Sequence, residues 1–163
     1  MHNKANALIE QMNVVNAEVT RVAEACSDEQ WQMGVVEEDG RSVGVVFHHI
    51  GIAYPFAISW AGMIAKGEPL PTMTRDELDG FNAHHAQEQA NSSQADVVAY
   101  LKAVTEETAV ALQAFSDEQL ERVGAIAMAG GKEFSGEWIV QAFAVGHAKN
   151  HLKVIKTTIG MKD

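Results

Sequence analysis

The chain has 163 residues, 47% of them hydrophobic, which is enough for one domain with its own core and too few for two, so residues 1–163 are read as a single bundle domain. Twenty-two acidic against twelve basic side chains give a formal net charge of −10 with no basic run, a balance that argues against a phosphate-tracking surface and predicts no nucleic-acid partner. The single cysteine, Cys26, excludes an intramolecular disulfide and a cysteine-rich metal framework. No apolar leader opens the chain and no segment reads as a membrane span of roughly 20 apolar residues, so the expectation is a cytoplasmic protein with no membrane contact.

Nearly every segment carries apolar residues at spacings of three and four. Residues 6–26 form the first predicted helix, with Leu8, Met12, Val15, Val19 and Val22 on one face. Ser27-Asp28-Glu29-Gln30-Trp31 reads as a capped turn, followed by a loop through Glu37, Glu38, Asp39 and Gly40. Ser42 is placed to cap a second helix over 42–66, which Gly67 ends and Pro55 is expected to kink. After Pro69 and Pro71, Thr74 and Glu77 stand in capping-box spacing at the head of a polar helix over 74–91. Ser93 and Asp96 open another, through Val98, Leu101, Val104 and Leu112 to Phe115. Ala125-Ile126-Ala127-Met128 and Lys132-Glu133-Phe134, split by Gly130-Gly131, predict a short hairpin, and a last helix covers 135–159 before Gly160.

The Ser27–Trp31 motif recurs as Ser116-Asp117-Glu118-Gln119-Leu120, so the chain reads as two helix-loop-helix halves. Short connections predict antiparallel neighbours within each half. The fold class is therefore all-α, a four-helix bundle in which the polar helix crosses over between two helical hairpins.

His147 and His151 are one helical turn apart in the last helix, on a stripe shared with Val140, Phe143, Ala144 and Val154. On the second helix, His49 is central to the stripe of Val45, Val46, Ile52, Ala53, Phe56 and Trp60, whereas His48 is rotated about 100° onto its shoulder. Three imidazoles facing one core, each costly to bury unpaired, are satisfied together by a shared divalent ion with a fourth position open. His49, His147 and His151 are the candidate metal ligands. His84 and His85, on the polar helix, read as surface residues, with His85 kept as a candidate near the site because it shares the Leu78 and Phe81 side. His2 is assigned to a frayed terminus, and Cys26 to a buried, inert thiol. Ala148 after His147 rules out the H-E-x-x-H zinc-protease helix, which needs glutamate there.

Arg41-Ser42-Val43-Gly44-Val45-Val46-Phe47-His48-His49-Ile50 resembles the W-S-V-x-E-V-L-x-H-L signature of the DinB-like (YfiT-like) four-helix-bundle metalloenzymes, and the His147-x-x-x-His151 pair agrees with it. The order of elements agrees across nearly the whole chain. The resemblance implies a DinB/YfiT-like fold, a homodimer, and metal ligands at His49, His147 and His151. Arg41 departs from the family tryptophan, Val45 from its acidic residue, and Leu152-Lys153-Val154 from the L-G-Q that follows the last histidine. The isomerase branch, with a glutamate at the first position of the last-helix pair, is less similar.

The family includes thiol-dependent S-transferases, so the expected function is activation of a low-molecular-weight thiol by zinc or nickel for attack on a small electrophile. A metal-dependent hydrolase is the chemical alternative. A non-catalytic stress or interaction bundle is the other, its metal absent or structural and its fourth position closed by His85 or an acid. Glu37, Glu38, Asp39 and Glu137 are the acids near the predicted site segments, and none is assigned as general base.

Overall fold

A computed structural model describes residues 3–162; His2 lies outside the described residues. Helix α1 (Asn3–Ala25) buries Leu8, Met12, Val15, Val19 and Val22, the face its periodicity predicts. The two echoed motifs form short helices, α2 (Asp28–Gln32) and α6 (Asp117–Glu121). In each, the serine side chain accepts from the backbone of a glutamine three residues on, and that glutamine accepts from the serine backbone. Their apolar residues, Trp31 and Leu120, are buried.

Helix α3 (Val43–Lys66) starts at Ser42, whose hydroxyl accepts from the Val45 amide, and stops at Gly67 in the left-handed conformation. It is assigned as unbroken through Pro55, which sits on its exposed side. Contrary to expectation, α3 is long and apolar enough to cross a membrane by length and composition. Most of it is buried in the bundle instead, because as the central helix it has neighbours on several sides. The polar helix is α4 (Arg75–Glu88), with the capping box of Thr74 and Glu77 formed. Helix α5 (Gln94–Gln113) follows its Ser93 cap.

The expected hairpin forms with its first strand shifted: β1 (Val123–Ile126) pairs antiparallel with β2 (Lys132–Ser135), and Ala127–Ala129 is a 3-10 turn. The last helix is α7 (Gly136–Val140), a π-helical segment (Gln141–Gly146) and α8 (His147–Ile159), capped by Ser135 and closed by Gly160.

The order of packing differs from the two-hairpin expectation. Helix α1 packs mainly on α5 and on the last helix, and α3 lies between α5 and the last helix; α1 and α3 meet only slightly. The two long helices of each half thus face each other across the bundle diagonal. Short helices α2 and α6, with their loops, give each connection the reach to skip a neighbour, a length that the reading as adjacent hairpins did not credit.

Two close approaches fix α3. A Cβ on Gly44 would stand 2.4 Å from the Trp31 ring, and one on Gly51 would stand 2.5 Å from the Tyr100 ring. Those glycines let the rings lie on the helix backbone. Trp31 stacks in turn on Phe47 at a centroid distance of 5.6 Å.

Candidate metal centre

Two helices and one loop build the site. His49 comes from the seventh residue of α3 and is buried, and the last helix supplies His147 and His151. The π-helical segment directly before His147 ends with the His147 amide donating to the carbonyl of Ala142, five residues back. That wider turn steps the buried stripe from Val140 to Val145, Ala148, Leu152 and Ile155. His147 and His151 consequently stand beside the core stripe, half-buried, rather than on it.

The three rings converge. Nε2 of His147 is 3.2 Å from Nε2 of His49 and 2.9 Å from Nε2 of His151, and one ligand atom from each of the three residues lies within 4.8 Å of the others. Ligand nitrogens about 2.0–2.1 Å from a tetrahedral zinc stand about 3.3 Å apart, so the observed spacing fits a shared ion. Nδ1 of His49 and of His147 are buried with no partner. Three ring nitrogens facing one another at these distances can all turn lone pairs to one shared cation.

Behind His151 stands Glu38, with Oε1 2.7 Å from Nδ1. The contact is close but bent away from a linear hydrogen bond, which leaves that nitrogen without a well-aligned partner. Arg41 holds Glu38 through a side-chain ion pair and a 2.9 Å bond from Nε to the Glu38 carbonyl. The loop that carries both is tied at its base, where the Val35 amide donates to Arg41 O at 2.8 Å, and turns through Asp39 and Gly40 at positive φ.

Burial first, then the charge of neighbouring His147 and His151, holds His49 down to about 2. Burial and His151 hold His147 to about 3, with Glu38 pulling the other way. Both rings are neutral, the state a metal ligand needs. Burial pushes the Glu38 carboxyl up, but the bond to His151 and the charges of His151, Arg41 and His147 bring it below the ordinary carboxylate value.

The structure brings His49, His147 and His151 together, with the last-helix pair beside the core stripe rather than on it as the wheel reading had them. His85 corrects the surface assignment: it is 6% exposed, with Nε2 2.8 Å from Nδ1 of His48, whose ring stacks on Tyr100 at 4.3 Å. His85 is pushed down to about 4 by burial and by His48. It turns toward His48 and is not among the converging ligand atoms. His84 is exposed, 3.2 Å from Glu88. Cys26 is buried, its thiol donating to Val22 O at 3.3 Å, and burial raises its pKa.

Sequence reasoning left Glu38 unplaced among the loop acids and treated Arg41 only as a departure from the family pattern. Their i, i+3 spacing before Ser42 was the available signal. Glu137 belongs elsewhere, bonded to Lys4 at 2.6 Å.

Comparison with known proteins gives the geometry its family. YfiT from Bacillus subtilis, described as a probable metal-dependent hydrolase with an unusual four-helix bundle topology, superposes with a TM-score of 0.74 at 14% identity, over 97% of this chain and 89% of its own. The colibactin self-resistance protein ClbS, solved in complex with a double-stranded DNA, superposes at 0.71 with 14% identity over 94% of both chains. That complex overturns the exclusion of nucleic acid drawn from net charge: a bundle of this fold can meet a duplex, and net charge sums a whole surface whereas contact is local. A comparison with curated protein sequences gives no match. The sequence matches the DinB superfamily over residues 11–155, and the chain belongs to that superfamily.

Proposed function

We propose that the protein is a divalent-metal-dependent enzyme of the hydrolase type, with His49, His147 and His151 as the ligands. The observation that carries this reading is the convergence of three imidazole Nε2 atoms with Glu38 behind one of the rings. A divalent ion held there, zinc or nickel by the donor set, supplies Lewis acidity and makes a water or thiol in its remaining position acidic near neutral pH.

The chain's own residues set up that chemistry. Burial keeps His49 and His147 deprotonated, so their lone pairs are available. Glu38 favours the His151 tautomer that carries its proton on Nδ1 and leaves Nε2 free, and Arg41 keeps Glu38 aimed. Because Glu38 faces the far side of His151, it is a positioning residue rather than a base for the reacting molecule. An apolar cavity bordered by His49 and His147 gives access to the triad.

Hydrolysis stands ahead of thiol transfer for two reasons. YfiT, the bundle with which the chain superposes at 0.74, is described as a probable hydrolase. Among the described residues, the cavity wall also has no charged side chain to grip the polar body of a cellular thiol. The test is to load the protein with zinc or nickel and to supply a neutral aryl ester in one assay and a cellular thiol with chlorodinitrobenzene in another. Ester cleavage that needs the metal and disappears in His151→Ala is expected. Thiol transfer without ester cleavage, or no reaction with either, overturns the hydrolase reading.

A further inference from the structure

The cavity beside the triad has a volume of about 370 Å³, near the small end of the roughly 300–1,000 Å³ range of small-molecule sites. Its floor is Ala53 and Phe56 of α3, with Phe143 of the π-helical segment meeting Phe56 edge-on at 5.8 Å. Its roof is one face of α4. Leu78, Phe81 and Asn82 line the space, and His85 on the same face is fastened to His48 on α3. These positions follow the i, i+3, i+4, i+7 spacing of a single helical stripe. Helix α4 is otherwise polar and mostly exposed, so its one apolar stripe serves this cavity.

Among the described lining residues, Asn82 is the only polar side chain apart from the two imidazoles, and none is charged. Phe81 remains 54% exposed, a large apolar surface at the mouth that a ligand would cover. Away from the triad, a carboxylate, phosphate or ammonium in the body of a ligand would lose its water here and gain no counter-charge from the lining.

We infer that this cavity takes a neutral substrate with a one- or two-ring, or equally compact, apolar body, its reacting group directed toward His49 and His147 and its single directional polar contact made with Asn82. The α4 stripe then sets specificity, because Leu78, Phe81 and Asn82 reach the substrate body without belonging to the triad. The link to a reacting group rests on the proposed metal function, whereas the preference for a neutral apolar body does not.

The test is fluorescence titration of the protein, with and without zinc, using N-phenyl-1-naphthylamine and its sulfonated counterpart, 1-anilinonaphthalene-8-sulfonate. The two probes share a ring system and differ by one sulfonate group. Saturable binding of the neutral probe is expected, at least about tenfold tighter than the sulfonate. Ala53→Phe, which fills the floor, is expected to weaken the neutral probe about tenfold or more, and Phe81→Ala, on an exposed position that leaves the fold intact, about threefold. Zinc stoichiometry should be unchanged in both variants.

Absent binding of the neutral probe, equal binding of the two probes, or wild-type affinity in both variants overturns the inference. Loss of zinc binding in the wild type with the probe pattern intact removes the metal reading and leaves the neutral, apolar cavity standing.

Discussion

Among the buried polar side chains of the described residues, the Asn16–Tyr54 pair and the histidine triad are treated differently. Between α1, α3 and α5, the Tyr54 hydroxyl donates to Asn16 Oδ1 at 3.2 Å and the Asn16 amide donates to Leu101 O at 3.4 Å. That group is satisfied from within the fold. Between α3 and the last helix, three imidazoles point Nε2 at one another, and Nδ1 of His49 and His147 finds nothing. Each unsatisfied buried group costs about 1–3 kcal/mol, and among the described residues these gather mostly around the triad and its loop, at the histidine Nδ1 atoms and Arg41 Nη1, with Thr20 Oγ1 on α1 apart from them. The difference sets the triad, as a candidate metal site, apart from polar groups that hold helices together.

Substitution should divide the two groups sharply. His147→Ala is expected to abolish tight zinc binding, a loss of more than about a hundredfold, while urea unfolding of the metal-free protein moves little. Isothermal titration with zinc reads the first and circular dichroism the second.

Acid should act on the triad and spare the Asn16–Tyr54 group. His49 and His147 bind protons near 2 and 3 when folded and near 6.5 when unfolded. Between those values the unfolded chain holds more protons, so their contribution is complete above about pH 6.5 and is lost as the pH falls from there. The expected loss for metal-free protein is roughly 1 kcal/mol per pH unit for each ring. Denaturant midpoints between pH 7 and 5 measure it, and a flat profile that is unchanged in His49→Leu would contradict the assigned burial.

Smaller effects sharpen the contrast. Glu38→Gln should weaken zinc binding about 10- to 100-fold by loosening His151, with stability nearly unchanged. Tyr54→Phe leaves Asn16 Oδ1 without its donor and should cost about 1–3 kcal/mol of unfolding free energy, with zinc affinity unaltered. His49→Leu, which removes an unpaired buried nitrogen, should leave the metal-free protein as stable as the wild type or more stable by up to about 1 kcal/mol. A large loss there would mean that His49 is structural, like Asn16.

Much of the fold was legible because its signals are local. Ser27, Ser42, Thr74, Ser93 and Ser116 each cap the helix their spacing announced, since a cap needs only the next three residues. His49 was separable from His48 for a similar reason: one residue turns a side chain about 100° about a helix. Packing order was not legible, because short linking helices carry the chain past a neighbour without altering any periodicity.

The site shows the same division. The π-helical segment changes which residues of the last helix face the core, and an α-helical wheel has no term for it. Glu38 reaches His151 only through a loop that turns at Asp39 and Gly40, a path no spacing rule describes. His85 was misjudged from the polarity of its helix, although Leu78, Phe81, Asn82 and His85 formed the one stripe on α4 able to face inward.

The most direct test is a cobalt(II) titration of the chelator-treated protein, followed by visible absorption, in the wild type and in His49→Ala, His147→Ala and His151→Ala. One equivalent per chain is predicted, with the intense bands of a low-coordinate site in the wild type, and with the bands lost in every variant. A wild type that does not saturate, or variants that titrate as the wild type does, would contradict the assignment of these three histidines to one metal.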